Sequence, residues 1–266
     1  MLFIVAFLLI SSTVYADNNK NLYLDLMKKC LMNSIYQDAS SSWDNPNSVS
    51  YQEKVRENGL DWPNVAHTMI GLHRLNNLQF CVEDVLQNNI PGDLIETGVW
   101  RGGASIFMRA ILKAHGNTEK RVFVADSFEG MPTPHPDLYP ADKNLEYWAS
   151  YTVLAVSLGQ VQSNFERYGL LDNQVVFLKG WFSDTLPNAP IEKLAIMRLD
   201  GDFYESTMDA LINLYPKLSV GGYVIIDDYA IPFCAKAVHD FRDKFNITDQ
   251  IYITPCRIGA FWKRTK

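Results

Sequence analysis

The chain has 266 residues, 47% of them hydrophobic, which suits one large domain or one domain with an N-terminal extension. Its formal net charge of −6 speaks against nucleic acid as the main partner, because phosphate binding usually needs a basic face. No internal repeat, heptad array or low-complexity tract stands out.

Leu2–Ile10 is an unbroken apolar run, followed by Ser11-Ser12-Thr13 and then Val14-Tyr15-Ala16, with small residues where a signal peptidase cuts. Asp17-Asn18-Asn19-Lys20 then turns sharply polar. Residues 1–16 are therefore expected to form a cleaved secretory signal peptide, although no Lys or Arg precedes the apolar core. The run is too short for a comfortable membrane span of roughly 20 residues, so a membrane anchor and a start without a targeting role are the lesser alternatives. The expected destination is the secretory pathway or the exterior, with no stable membrane span after cleavage.

Residues 21–35 place Leu22, Leu26, Met27, Cys30, Leu31 and Ile35 at helical spacing. Residues 38–64, rich in Ser, Asn, Asp and Pro, read as a loop or partly ordered stretch within an N-terminal cap over 17–64. A second helix is predicted from about Ala66 to Gln87, ended by Asn88-Asn89-Ile90-Pro91-Gly92. Strands are then expected at Asp93–Thr97, Arg121–Asp126, Gln174–Lys179, Leu194–Asp200 and Tyr223–Asp227. Helices are expected between and after them at Gly102–Ala114, Val161–Tyr168, Tyr204–Leu218 and Cys234–Phe245. Two last strands, Gln250–Thr254 and Gly259–Lys263, close the chain. Repeated βα units ending in a β pair imply an α/β fold over 65–266, with a mostly parallel sheet covered by helices. Met131–Tyr151 is a long irregular stretch rich in Pro, Asp and Tyr, the kind of segment that covers a substrate as a lid. The four cysteines, Cys30, Cys81, Cys234 and Cys256, permit two disulfides or four free thiols, and none of their spacings suits zinc. Asn246-Ile247-Thr248 is an N-glycosylation acceptor triplet, which fits a secretory route.

Chemistry gathers at the strand ends. Glu96-Thr97-Gly98-Val99-Trp100-Arg101-Gly102-Gly103-Ala104-Ser105 follows the first βα strand and opens a helix. Glycines there let the backbone approach a ligand, and a helix N-terminus favours a negative group. The spacing is not Gly-x-Gly-x-x-Gly, and an acid before the first glycine suits a ligand with an amino or sulfonium charge. A plain tight turn is the alternative. Asp126-Ser127-Phe128 ends the next strand, where an acid commonly holds a ribose hydroxyl pair or caps a helix. Together the two motifs favour a nucleoside-bearing cofactor. Gly180-Trp181-Phe182-Ser183-Asp184-Thr185-Leu186-Pro187 offers an aromatic pair that could flank an adenine ring or simply pack.

Leu199-Asp200-Gly201-Asp202-Phe203-Tyr204 and Ile225-Ile226-Asp227-Asp228-Tyr229 each follow an apolar run of strand type. If the strands are neighbours, their ends lie about 4.8 Å apart, close enough for the carboxylates to share one cation. Like charges at that distance repel, so a shared metal or a shared proton resolves them. A set of helix caps and surface acids would leave Asp227-Asp228 without a compensating charge.

With these motifs in this order, and with Ala66-His67-Thr68-Met69-Ile70-Gly71 and Glu129-Gly130-Met131-Pro132 beside them, the chain resembles the macrocin O-methyltransferase family over roughly residues 60–245. Members methylate hydroxyls on sugars and other natural products with S-adenosylmethionine. The resemblance implies a Rossmann-like class I methyltransferase fold: a mostly parallel seven-stranded sheet, helices on both faces and an N-terminal helical cap. It implies that Asp200, Asp227 and Asp228 ligate a divalent cation, usually Mg²⁺, and that Asp202 is the general base. Thr68, Met69, Glu96, Gly98, Asp126 and Ser127 match positions expected around S-adenosylmethionine. Thr97, Gly102, Gly103 and Ser105 of the glycine turn, with Trp181 and Phe182, complete the expected cofactor set. The implied acceptor is a small-molecule or sugar hydroxyl, and a homo-oligomer is left open.

Two other readings compete. One is a nicotinamide-dependent oxidoreductase on a similar sheet. Tyr139-Pro140-Ala141-Asp142-Lys143 has the Tyr-x-x-x-Lys spacing such enzymes use, but Pro136 and Pro140 oppose the helix that chemistry needs. The other is a secreted binding protein that kept the fold without turnover, against which the intact set of four aspartates argues. His67, His73, His115, His135 and His239 show no ligand spacing, although His135 lies in the expected lid.

Overall fold

A computed structural model describes residues 18–42, 45 and 47–266, so the leader expected over 1–16 lies outside the described residues. Residues 18–31 form the first helix, α1, which buries Leu24, Met27 and Leu31. Its stripe is rotated from the expected one, for Leu22 and Leu26 are exposed. The stretch expected as a partly ordered cap is built around one cation. It holds strand β1 (Ser40–Ser41), helix α2 (Glu53–Asn58) and strand β2 (Trp62–Pro63), with β1 and β2 antiparallel. Arg56, wholly buried, donates from Nε to Asp61 at 2.9 Å and from Nη1 to Asp38 at 2.9 Å. A guanidinium with five donors can pin several segments at once, so few apolar residues are needed.

Helix α3 (Gly71–Gln87) begins five residues later than the periodicity predicts. Gly71 is the reason: its φ is +71°, and a Cβ there would lie 2.4 Å from the Gly59 nitrogen. The residues before it, Ala66–Ile70, stay non-helical.

The alternation that follows is as expected in type. Strand β3 (Asp93–Thr97), helix α4 (Gly103–Ala114) and strand β4 (Val122–Asp126) come first. Three single 3-10 turns, Pro140–Asp142, Glu146–Ser150 and Thr152–Leu154, then shape the long segment over 131–154. Helix α5 (Leu158–Arg167), capped by the Ser157 hydroxyl, leads to strand β5 (Val175–Lys179) and the short helix α6 (Phe182–Thr185). Strand β6 (Leu194–Leu199), helix α7 (Tyr204–Leu214), strand β7 (Leu218–Ile226) and helix α8 (Pro232–Lys244) follow. Strands β8 (Tyr252–Ile253) and β9 (Ala260–Lys263) finish the sheet. Helix α7 stops before its expected end, and Pro216 falls in a 3-10 turn that releases the chain into a longer β7.

Among the described residues the main sheet has seven strands in the order β5-β4-β3-β6-β7-β9-β8. The first five are parallel; β9 runs antiparallel to β7 and to β8. Alternate strand residues enter opposite cores. Leu94, Val122, Val124 and Ile196 join the core with α1, α3, α4 and α5, while Ile95, Phe123, Ala125 and Met197 join that with α7 and α8. All four cysteines are free thiols. No helix of the described residues is long and apolar enough to cross a membrane.

Candidate active site

From β3 the sheet grows in two directions, through β4 to β5 and through β6 to β7. The crevice at the carboxyl ends of β3 and β6 is therefore the topological switch point, where open α/β sheets bind ligands. The ladder holds the two turns in register just past the strands: the Asp200 N–H donates to the Thr97 carbonyl at 2.8 Å, and the Asp227 N–H to the Leu199 carbonyl at 2.9 Å. Gly98 (φ +80°) lies so close to the next strand that a Cβ would stand 1.6 Å from the Asp200 carbonyl oxygen. The first glycine of the turn thus seats the backbone after β3 on the backbone after β6, a closer constraint than approach to a ligand.

Beyond β6 and β7 the carboxylates crowd together. Ligand oxygens of Asp200, Asp202 and Asp228 lie within 4.8 Å of one another. Asp202 sits in the left-handed region at φ +53°, and its N–H donates to Asp228 Oδ2 at 3.2 Å. Burial and the negative charges of Asp200 and Asp227 push the Asp202 carboxyl up to about 8. Burial and the neighbouring acids hold Asp228 well above the usual carboxylate range.

Asp227 faces the other way. Arg74, from α3, and Arg198, from β6, each donate to one of its oxygens. Arg198 is almost wholly buried, and it also donates to Asp200 Oδ2 at 2.8 Å and to Glu96. One guanidinium thereby joins acids at the ends of three adjacent strands. Sequence reading did not single out Arg198 or Arg74. The signal was present in Leu194-Ala195-Ile196-Met197-Arg198-Leu199, a lone cation inside an apolar strand that leads into acids.

On the β3–β4 side the acids are locally satisfied. Glu96 accepts from Arg198 and from the Ser105 hydroxyl, and burial raises its carboxyl to about 7. Asp126 accepts from the Val99 and Phe128 amides, each at 2.7 Å. Between these ends and the N-terminal segment lies a cavity of about 700 Å³, well within the size of small-molecule sites. Thr68, Met69, Glu96, Gly98, Asp126, Ser127, Trp181 and Phe182 line it, together with Asp200, Asp202, Asp227 and Asp228. Thr97, Gly102, Gly103 and Ser105 do not; they stand behind the wall. Ser105 braces Glu96, and Gly103 packs so tightly that a Cβ would lie 2.3 Å from the His67 carbonyl oxygen. The long segment expected as a lid forms part of the wall through Met131, Pro132, Thr133, His135 and Trp148, with Leu154 just beyond it. Leu60 and Trp62 of the cap, with Ile231 and Ile258, add apolar surface.

A mostly parallel seven-stranded sheet with a glycine turn at its switch point, a strand-end acid beside it and a cavity over both has the Rossmann-like architecture of class I methyltransferases. The macrocin O-methyltransferase (TylF) family model matches residues 20–264, and the chain belongs to that family. It is an S-adenosylmethionine-dependent O-methyltransferase. It is 57% identical, over 94% of its length and 95% of the relative's, to the 8-demethyl-8-(2,3-dimethoxy-alpha-L-rhamnosyl)-tetracenomycin-C 4'-O-methyltransferase of Streptomyces olivaceus. It is 53% identical to the demethyldecarbamoylnovobiocin O-methyltransferase of Streptomyces niveus, over 94% of this chain and 96% of that one. The solved structure of the O-methyltransferase NovP superposes with a TM-score of 0.87 at 54% identity, covering 93% of this chain and all (100%) of that chain. Neither the oxidoreductase reading nor the non-catalytic one finds support among these relatives.

Proposed function

We propose that the enzyme methylates a sugar hydroxyl on a glycosylated natural product, with a hard divalent cation such as Mg²⁺ at the acid cluster. The convergence of carboxylate oxygens at the cavity floor carries this reading. Oxygen-only donors that repel one another suit a hard cation. Asp200, Asp227 and Asp228 would hold it, Asp227 through lone pairs left free by its two arginines. Because Asp202 reaches the same cluster and Asp227 is already paired, a set of Asp200, Asp202 and Asp228 is the second reading. The cation would lower the pKa of the acceptor hydroxyl and orient it.

Asp202 is assigned the proton of that hydroxyl. Asp126 is assigned the ribose hydroxyls; Trp181 and Phe182 the adenine face; Glu96 the amino end of S-adenosylmethionine. Thr68, Met69, Gly98 and Ser127 complete the wall, and Thr97, Gly102, Gly103 and Ser105 support it from behind. The methyl group arrives activated on a sulfonium, so alignment with the acceptor oxygen supplies much of the rate. The relatives' names point to rhamnosylated tetracenomycin and novobiocin precursors as acceptors, and the apolar cap and lid residues suit such aglycones.

Incubation with S-adenosylmethionine, Mg²⁺ and a panel of these glycosides, read by mass spectrometry, tests the proposal. A gain of one methyl on a sugar oxygen, lost in EDTA, is expected; no transfer to any glycoside overturns it. Mn²⁺ titration of Asp227→Asn and Asp202→Asn separates the two ligand sets, since the true ligand's variant loses more affinity. The leader over 1–16 and export are proposed on sequence alone. Fractionation of the tagged full-length chain, with a glycosidase shift at Asn246, checks them.

A further inference from the structure

Helix α7 starts two residues after Asp202, and its own N-cap residue, Phe203, offers no oxygen to the first-turn amides. Those amides are met from sixty residues away. Asp142, buried in a 3-10 turn of the lid, accepts from the Tyr204 N–H through Oδ1 at 2.8 Å and from the Glu205 N–H through Oδ2 at 2.9 Å. A carboxylate is the strongest type of partner for a helix N-terminus.

The rest of the lid converges on the same turn. The Trp148 ring stands edge-on to Phe203 at 5.8 Å and to Phe233 at 6.1 Å. Tyr139 and Tyr204 have ring centroids 6.0 Å apart. His135 Nδ1 lies 3.0 Å from both oxygens of Glu205. Every one of these contacts on α7 falls on residues 203–205, directly after the strained, left-handed Asp202.

We propose that Asp142 is a positioning residue for Asp202: the segment that covers the cavity also supplies the missing cap of α7, so covering the acceptor and fixing the Asp202 carboxylate are one event. The inference rests on the reading of Asp202 as the proton acceptor. Without Asp142 the first turn of α7 loses the one side-chain cap found for it among the described residues, and the Asp202 turn loses its tie to the lid.

The test uses the full-length chain and its Asp142→Ala and Asp142→Asn variants. Amide hydrogen exchange should run about ten-fold faster at residues 203–206 in the Ala variant, with the Asn variant, which keeps one acceptor oxygen, in between. Calorimetry should give S-adenosylmethionine affinity unchanged within two-fold. With a glycoside turned over in the panel, kcat should fall in the Ala variant and recover partly in the Asn variant. Wild-type exchange at 203–206 overturns the proposal. So does a rise in acceptor KM with kcat unchanged, which would make Asp142 a tether of the lid and nothing more. Should the wild type transfer no methyl group, the reading of Asp202 falls, while the exchange rates still decide whether Asp142 orders its turn.

Discussion

Asp126 and Asp202 stand on the floor of one cavity, at or just past the ends of parallel strands, and they meet opposite surroundings. Both Asp126 oxygens accept backbone amides, and these oppose the upward push of burial on its carboxyl. Among the described residues no group donates to the Asp202 carboxylate, and two more acids crowd it. Peptide dipoles are enough for one buried carboxylate; three with oxygens within 4.8 Å of one another need a cation or a proton. The β4 side of the cavity is thus electrostatically satisfied, while the β6–β7 side is left open.

The largest effect should come from the cation that joins the two sides. Arg198→Leu leaves Glu96 and part of Asp227 buried without their partner, and should cost about 3–5 kcal/mol of stability, read as a lower urea midpoint. A loss below about 1 kcal/mol would mean that Arg74 balances the acids alone and that the two sides are independent.

Next in size is a pair of matched substitutions. Asp202→Asn should lower turnover by roughly 100-fold, about 2.7 kcal/mol of activation energy, and spare S-adenosylmethionine binding. Asp126→Asn should do the reverse: cofactor affinity weaker by about ten-fold, with kcat at saturating cofactor retained. Steady-state kinetics and calorimetry on both variants check this, and similar profiles from the two would erase the distinction drawn between the sides.

Much of this contrast could be read from sequence, because strand-end acids and glycine turns are local signals. Asp200, Asp227 and Gly98 each sit beside the strand that places them, so an apolar run followed by a polar pair was enough. The partners of those acids are non-local. Arg198 stands out as a lone cation in an apolar strand, but its partners are hidden until β3 and β7 are known to flank β6, and Arg74 stays silent until α3 is docked over Asp227. Asp142 lies in a stretch without periodicity and meets its helix only after the lid folds back. The start of α3 was misread because Ala66–Ile70 is apolar enough to continue the pattern, while the Gly59–Gly71 contact that stops it spans the cap.

A smaller effect should appear at Asp228. Burial, and then the charges of Asp202, Asp200 and Asp227, raise its carboxyl well above its unfolded value, so ionising it costs the folded state more than the unfolded chain. Such a group supports the fold at low pH and works against it as pH rises through the folded value. In EDTA at pH 8, Asp228→Asn should therefore be more stable than wild type by about 1–2 kcal/mol. Addition of Mg²⁺ should raise the melting temperature of the wild type and leave the variant unmoved. A variant that is less stable in EDTA would show that the acid side is already balanced without a cation.

The smallest effect belongs to His67, in the wall of the cavity. Burial, and then the charges of Arg167 and Arg101, drive the His67 imidazole down to about 4, so it is neutral at pH 7, with Nδ1 hydrogen-bonded to the Tyr168 hydroxyl at 2.8 Å. The unfolded chain takes up that proton near 6.5. Between those values the unfolded state binds more protons, so stability must fall as pH drops from about 6.5 to about 4, and level off below. His67 is partly open to solvent, and after discount for screening the difference should be about 1 kcal/mol. His67→Gln keeps an acceptor for Tyr168 and removes the titration. Urea midpoints of the two proteins should run parallel above pH 7 and converge or cross toward pH 4, with wild type losing ground. A constant offset across that range would mean that His67 takes up its proton as readily in the folded enzyme as in the unfolded chain.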